Sequence, residues 1–542
     1  QDSGSVESAG GVVVDANDTS TVSAEILNVA LSAGLFSLSV GVALVDNAIG
    51  NDVSAGIARA NVTAGGAGDI AVTASSDPTI LAESTVGAVA FGLGGSGAGG
   101  SSETTINGTT QAYINGGSLT AEGNDVTVSA ASTSLAAPKI QGLSVGLASV
   151  SVMTSEATIE GQTRAWAGGR TAITADALDL SATDISTATP STVIAGGGVF
   201  SISVTDSLID ISRETAAEIA SGADIDMGSG QLSLTAVSNT FGGSVASSTT
   251  VSAIDIAVLS VDSSVGNTTR AQIQSGATVR SSGGTGLVSA IAHTRADAKV
   301  KSIGVGIGLR AGISEPSAEV TATTEALALG NIIGSNPGDR AANVTVTATA
   351  DDRATAGSDA SGGGLVSVGV ATVDAETSST VHAGGGGTIL ASGNVTIQAI
   401  SISDADASSK SSSGGAVDVT DLEATAAATP NVSATIGDSA VIDAGATLTV
   451  SASHGEDSPT FSDGSFNAVS GVDPNANTIT FSDNHGILTG DTVTYNQNNA
   501  ATAVGGLTDG RDYGVVTSGD KSLKLGVTFD SLESDDTTPY ID

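Results

Sequence analysis

The feature that most constrains this chain is a short strand motif that returns at nearly constant spacing. The motif is apolar-x-apolar-x-Ala, and its alanines lie 51 to 58 residues apart. These alanines are Ala74, Ala130, Ala182, Ala236, Ala290, Ala348, Ala399 and Ala452. A period of tens of residues is typical of stacked repeats that pack only on their neighbours. The sequence therefore predicts about eight repeats of about 54 residues, with a partial ninth in "STVSA" ending at Ala24.

The residues between these anchor motifs alternate small and apolar side chains with a period of two, which is typical of β-strands. Strands at a constant long period favour an all-β parallel β-solenoid (β-helix) over residues 1–455. The alternative is a row of antiparallel β-sandwich domains. These need hairpin turns such as Asn-Gly or Asp-Gly, which are scarce before residue 455. Each repeat could wind as one wide coil or as two narrow coils.

The composition excludes some classes of partner and indicates the cellular compartment of the protein. The chain has 57 acidic against 17 basic residues and a net charge of -40, which argues against nucleic acid and anionic membranes as partners. The apolar run Asn28–Val45 alternates small and large residues, so it is interpreted as a strand and not as a membrane span. There is no cysteine, which fits an exported bacterial repeat protein that needs no redox control.

A second recurring pattern places small residues opposite large apolar ones. In "SIGVGIGL", Gly304, Gly306 and Gly308 alternate with isoleucine and valine, and Ser37, Ser39 and Gly41 stand in the corresponding run of the first repeat. Successive side chains of a strand point to opposite faces. We therefore expect the large residues to stack as an apolar ladder and the small face to act as an assembly face, covered closely by another layer of protein.

Acidic residues follow these runs at near multiples of the repeat. They are Asp46, Asp206, Asp262, Asp374 and Asp421. Stacked coils would place them in a partial column, and oxygen-rich columns attract Ca²⁺. The sequence thus suggests calcium as a possible ligand, with a solvated acidic edge as the alternative interpretation.

No catalytic constellation is evident. The four histidines are scattered, and the one G-x-S-x-G match, at 142–146, lies in a strand pattern without the sharp strand-to-helix turn that a nucleophile elbow requires. The sequence predicts a protein that is not an enzyme.

The last part of the chain, residues 456–542, differs in character. It holds seven of the thirteen aromatic residues, with turn signals between short alternating segments. This pattern predicts a small antiparallel β module of four or five strands, followed by a C-terminal tail.

Two stretches carry a family resemblance. The order "SVGVALVDNAIGNDV", "AGIARANVTAG" and "DIAVTAS" resembles the repeats of giant secreted bacterial surface proteins, the filamentous-haemagglutinin-like and leukotoxin-like filamentous adhesins. "NTITFSDNHGILTGDTVTY" looks like the small β modules of the HG…TGD type. The resemblance implies an extracellular, cell-surface β-solenoid with a scaffold or adhesive role and without catalytic residues.

These observations lead to one expected function and one alternative. The chain is expected to form a fibre, stalk or sheath through repeat stacking and self-association. The alternative is an adhesin whose C-terminal module binds a glycan or a surface. The strand-like stretch at Val12–Val14 shows no polar cap. We therefore expect either a longer polypeptide or copies joined head to tail, with lateral association as a further possibility.

Overall fold

The computed structural model describes residues 4–455 and, further on, residues 471–473, 478–481, 487, 492–495, 504, 507–508, 510–519 and 521–526. All regular elements within these residues are strands. Twenty-five strands form one parallel sheet, and five form a small antiparallel sheet. The predicted all-β fold, a parallel solenoid followed by a small antiparallel module, is therefore confirmed.

The strands of the parallel sheet are Gly4–Ser8, Val12–Asp18, Thr21–Ala33, Leu38–Ile49, Asp52–Ala64, Ile70–Ser76, Thr79–Phe91, Gly95–Ala188, Ser191–Ile219, Asp224–Asp226, Leu232–Val265, Thr268–Ile273, Thr278–Arg280, Gly286–Val320, Thr323–Ala328, Asn331–Ile333, Val344–Gly363, Val366–Thr377, Thr380–Gly385, Thr388–Ala391, Val395–Gly414, Val417–Ala428, Asn431–Ile436, Val441–Ala444 and Leu448–Gly455. Those of the antiparallel sheet are Val472–Asp473, Thr478–Thr480, Thr492–Thr494, Asp512–Gly519 and Ser522–Gly526.

Each repeat is a single wide coil. In the parallel sheet, strands pair with the equivalent strand of the next repeat, 51 to 58 residues further along the chain. The anchor alanines stand in register, for example Ala236 opposite Ala290. One sequence prediction was wrong: the strand that ends at Ala24 is not an anchor strand. Ala24 pairs with Ala82, one strand after the anchor, and the first anchor alanine is Ala16, which pairs with Ala74.

A coil has two parts, which the first coil shows. Thr21–Ala33 and Leu38–Ile49 run out and back as two facing strands, here called the outgoing and the returning fin strand. Stacked over the coils, they form a thin two-sheet projection, here called the fin. Asp52–Ala64, which bends where Arg59 has a φ of 53°, and the next anchor strand Ile70–Ser76 enclose a three-sided core.

The three-sided core explains the anchor motif. Ile70, Val72 and Ala74 point inward and are almost fully buried, while the alternate positions of the strand are partly exposed. Equivalent residues of neighbouring coils lie in the same hydrophobic cluster. Because each coil covers the apolar residues of the one before, burial accumulates along the stack and a single repeat has no complete core of its own.

The interior of the fin is lined by small residues, and its two sheets approach closely. The Ser39 hydroxyl donates to the Ala30 carbonyl at 2.6 Å, and the Asn28 amide donates to the Val42 carbonyl at 2.7 Å. Side chains of one sheet thus reach the backbone of the other. This spacing is closer than the ~10 Å usual between packed sheets.

The antiparallel module has a five-stranded sheet, as the sequence predicted. Its middle strand, Ser522–Gly526, pairs with Thr478–Thr480 on one side and Asp512–Gly519 on the other. Tyr495 and Tyr513 are buried, and their hydroxyls accept hydrogen bonds from the backbone amides of Val504 and Thr508. Phe461, Phe466, Phe529, the His485–Gly486 pair and the tail from 527 onward lie outside the described residues.

Candidate interaction surface

The outer faces of the fin carry the large aliphatic residues. In the first returning strand, Leu38, Val40 and Val42 are 73%, 58% and 54% exposed, while Ser39 is almost completely buried. The narrow gap between the two fin sheets is filled mainly by serine, glycine and alanine, so the large aliphatic residues of the same strands point to solvent. The apolar ladder predicted from "SIGVGIGL" therefore lies outside: Ile303, Val305 and Ile307 are all exposed.

The predicted assembly-face residues lie within the fin or at its tip. Gly304 and Gly306 belong to an outgoing strand, whereas Ser39 and Gly41 belong to a returning strand. They are not equivalent positions, since Gly304 pairs with Thr250 and Ser39 pairs with Ser96. Ser37 and Gly308 lie at the tip. The small face is covered by the opposite strand of the same fin, so it does not provide a surface for another copy.

A buried ion pair occupies the fin interior in the fifth and sixth coils. Arg310 Nε lies 3.8 Å from Asp255 Oδ2, and both side chains are nearly inaccessible. The Asp255 carboxylate also accepts a hydrogen bond from Thr250 at 2.6 Å. Burial raises the pKa of Asp255, against the effects of Thr250 and Arg310, and burial lowers the pKa of Arg310. These charged groups are enclosed and face each other, so they serve the fold and not an external ligand.

A second buried ion pair lies where the fin joins the three-sided part. Arg213 Nε donates to Asp184 Oδ1 at 2.8 Å. The other guanidinium nitrogens donate to the Glu160 carbonyl and to the hydroxyls of Ser132 and Thr163. This pair has the hydrogen bonds that a buried charge requires, and it too is structural.

The outward face of the returning strands, here called the returning face, is a continuous apolar surface that runs over all eight coils. It consists of three columns of eight positions each. The tip column is Leu38, Gly95, Ala148, Phe200, Ile254, Leu309, Val366 and Val417; the middle column is Val40, Gly97, Val150, Ile202, Ile256, Ala311, Val368 and Val419; the base column is Val42, Gly99, Val152, Val204, Val258, Ile313, Val370 and Asp421.

Beyond the base column the returning face becomes acidic. Of the five aspartates proposed for calcium, Asp46, Asp262 and Asp374 share one column. Asp206 stands one column nearer the tip, opposite Ser260, and Asp421 lies in the base column itself, opposite Val370. Asp262 and Asp374 are two rungs apart, with Ser317 between them. That spacing is about 10 Å along the stack, too far for the ligands of one ion.

The carboxylates of the acidic edge repel one another. Burial, followed by the negative charges of Glu103, Asp206 and Asp210, raises the pKa of Glu156. Burial, followed by Glu319, Asp206 and Asp210, raises the pKa of Asp262. Among the described residues, no group of three or more His, Asp or Glu side chains could hold a metal ion. The five aspartates thus form no common calcium site, and the solvated acidic edge is the interpretation that their positions favour.

Comparisons with protein families, with curated proteins and with solved structures found no match. Within the part of the chain that the structure describes, there is also no helix long and apolar enough to cross a membrane.

Sequence reasoning missed the returning face, although a signal for it was present. The runs after the fin tip alternate valine or isoleucine with serine or alanine and carry no charge for several residues, as in "FSISV" at 200–204. The alternation identifies two different faces but not which one is buried. That depends on the layer opposite, which is another strand of the same coil.

Proposed function

We propose that this chain is a non-enzymatic structural protein of the bacterial cell exterior, which builds a fibre, stalk or sheath by repeat stacking and self-association. The observation that carries this proposal is the constant register of one coil per repeat, maintained over eight coils. A stack of this kind extends in one direction and gains stability with each added coil.

Other features support the same role. Both buried ion pairs are enclosed within the stack: Asp255 and Arg310 join two neighbouring coils, and Arg213, which pairs with Asp184 of its own coil, also donates to the Glu160 carbonyl of the coil before it. The acidic surface and the absence of cysteine fit an exported chain. The alternative role, an adhesin that binds through the C-terminal module, has less support. Tyr495 and Tyr513 are buried with their hydroxyls hydrogen-bonded, as expected of a spacer module.

Electron microscopy of the purified protein tests the proposal. We expect elongated particles that join into filaments as concentration rises, with the strand spacing of about 4.8 Å along the filament axis. Particles that stay separate at every concentration, in buffers with and without divalent cations, would contradict a role in self-assembly.

A further inference from the structure

We infer that the returning face binds the returning face of a second copy of this chain, so that two solenoids pair side by side through their fins. This inference rests on the proposed structural role and names the surface that performs the lateral contact. It concerns the three outward columns defined above, not the small residues inside the fin.

The composition of the returning face is the first argument. Of its 24 positions, 23 are aliphatic, phenylalanine or glycine, and the exception is Asp421 in the last coil. Twelve of its eighteen large residues are exposed, such as Phe200 at 48% and Val150 at 42%, and the other six are partly exposed. Contiguous apolar surface of this extent on a soluble protein marks an interaction site.

The area of this face is the second argument. Eight rungs spaced by about 4.8 Å, and three columns spaced by about 6.6 Å, give a surface of roughly 750 Å². A stable protein interface buries about 800 Å² on each partner. The returning face of one molecule therefore matches the area that a pair of identical copies needs.

The arrangement of charge is the third argument. The acids Asp46, Asp206 and Asp262 lie at the base edge of the face, outside or at the rim of the aliphatic columns. An apolar centre with a charged rim is the usual anatomy of a protein interface. In a two-fold pair whose rods are parallel, the strands are antiparallel, so the two acidic edges lie on opposite sides of the contact and do not meet.

The outward residues on the outgoing side of the fin indicate that the returning face binds a second copy and not a lipid membrane. The outward residues of the outgoing strands include a largely polar column, which holds Gln141, Lys301, Asp359 and Lys410. Immersing the fin in hydrocarbon would bury these groups as well, at high cost. A protein partner that covers the returning face alone leaves them in water.

Sedimentation equilibrium of the protein tests the inference, with substitutions on the two sides of the fin. Ile202→Lys places a charge in the middle column of the returning face. Val251→Lys is the matched control, because Val251 is an exposed valine near the tip on the outgoing side. We expect the parent and the control to form dimers, and Ile202→Lys to weaken dimerisation by roughly a hundredfold.

A conservative variant guards against misfolding of Ile202→Lys. Val150→Thr with Ile202→Thr keeps β-branched residues in the strands and should still weaken the dimer by at least tenfold. Equal weakening by Val251→Lys, or no weakening by either returning-face variant, would overturn the inference.

A parent that stays monomeric would also overturn it, as would a monomer that binds phosphatidylcholine vesicles through the fin. The proposed structural role is tested independently of lateral pairing. Filaments of single-solenoid width in the microscope would support that role and would exclude pairing through the returning face.

Discussion

At the scale of single residues, one buried arginine explains two glycines. Arg310 stands at a fin-interior position where most other coils have serine, and its neighbours in the column are Asp255 and Ser367. A Cβ at Gly304 would meet the Arg310 guanidinium and lie 2.6 Å from Asp255 Oδ2, and a Cβ at Gly362 would also meet the guanidinium. The two glycines leave the volume that the long side chain occupies.

Replacing Gly304 tests this explanation. Gly304→Val should lower the free energy of unfolding by about 1–3 kcal/mol, because the new side chain overlaps the ion pair. Gly312→Val is the control in the same fin: no atom lies within 4 Å of its Cβ position, and the change should be within about 0.5 kcal/mol. Chemical denaturation of both variants measures the difference, and equal stabilities would show that the fin interior adapts freely.

Asp352 is the other residue whose environment makes a clear prediction. It is completely buried near the junction of the fin and the three-sided part, and neither carboxylate oxygen has a well-formed hydrogen bond. Burial raises its pKa to about 7, although the nearby hydroxyls of Ser379 and Thr294 oppose the shift and Asp351 adds to it. The folded protein therefore holds this proton at a pH where the unfolded chain has lost it.

The stability contribution of Asp352 should consequently depend on pH. A raised folded-state pKa means that the contribution is fully present below pH 4 and is lost as pH rises through 7. Asp352→Asn should abolish this part of the pH dependence, with a change in the parent-minus-variant difference on the order of 4 kcal/mol between pH 4 and pH 8. Urea unfolding across that range measures it. The exposed Asp359→Asn serves as the control, and parallel profiles for parent and Asp352→Asn would contradict the assignment.

At the scale of the element, the returning fin strand combines three functions along its length. Its inward side packs small residues against the outgoing strand, its outward side carries aliphatic residues near the tip, and its base carries acids. The acids are close enough to repel, since Asp206 contributes to the raised pKa of both Glu156 and Asp262. Repulsion between these carboxylates therefore destabilises the base of the fin.

Neutralising Asp206 should relieve that repulsion. Asp206→Asn is expected to raise the free energy of unfolding by about 0.5 kcal/mol at neutral pH and low salt. The gain should shrink as sodium chloride is added, because added ions screen exposed charges. Thermal melts at two salt concentrations measure both effects. Asp77→Asn, at an exposed corner of the coil, makes the same change in net charge, and an equal gain there would assign the effect to net charge alone.

At the scale of the whole molecule, the solenoid is nearly one-dimensional, because every coil contacts mainly the coil before and the coil after it. The parallel pairing carries each column of side chains from one coil to the next. Stability should therefore be close to a sum of coils and their interfaces. Few contacts tie a coil to parts of the chain more than one repeat away.

Deleting one complete coil tests this additivity. Removal of residues 178–231 takes out the stretch between Leu178 and its register partner Leu232, together with both members of the Asp184–Arg213 pair. We expect a shorter solenoid that still unfolds cooperatively, with a modestly lower melting temperature. Removal of residues 178–204 cuts within a coil and should abolish folding, because the columns no longer align. Circular dichroism distinguishes the outcomes, and unfolding of the complete-coil deletion would contradict the additive description.

Much of the fold was predictable because the anchor motif marks the same buried strand in every repeat. Ala236 and Ala290 were aligned from sequence and pair in the structure, since every anchor strand buries the same positions in the same core. The antiparallel module was also predictable from its turns and aromatic residues. The candidate site was harder to predict from the sequence: Asp46, Asp262 and Asp374 share a column, but Asp206 and Asp421 lie in other columns. Small differences in repeat length change the register in a way that residue spacing alone cannot show.

The sequence by itself thus determined the repeat, the strands and their parallel stacking, because these follow from side-chain alternation and a constant period. Only the tertiary structure decided that a repeat is one wide coil and that its fin buries the small residues while exposing the large ones. The physical reason is that alternation separates the two faces of a strand without saying what covers each. In the fin, the opposite strand approaches so closely that most positions between the sheets hold small side chains, Arg310 fitting only where glycines leave room, and the large aliphatic residues are left on the outer surface.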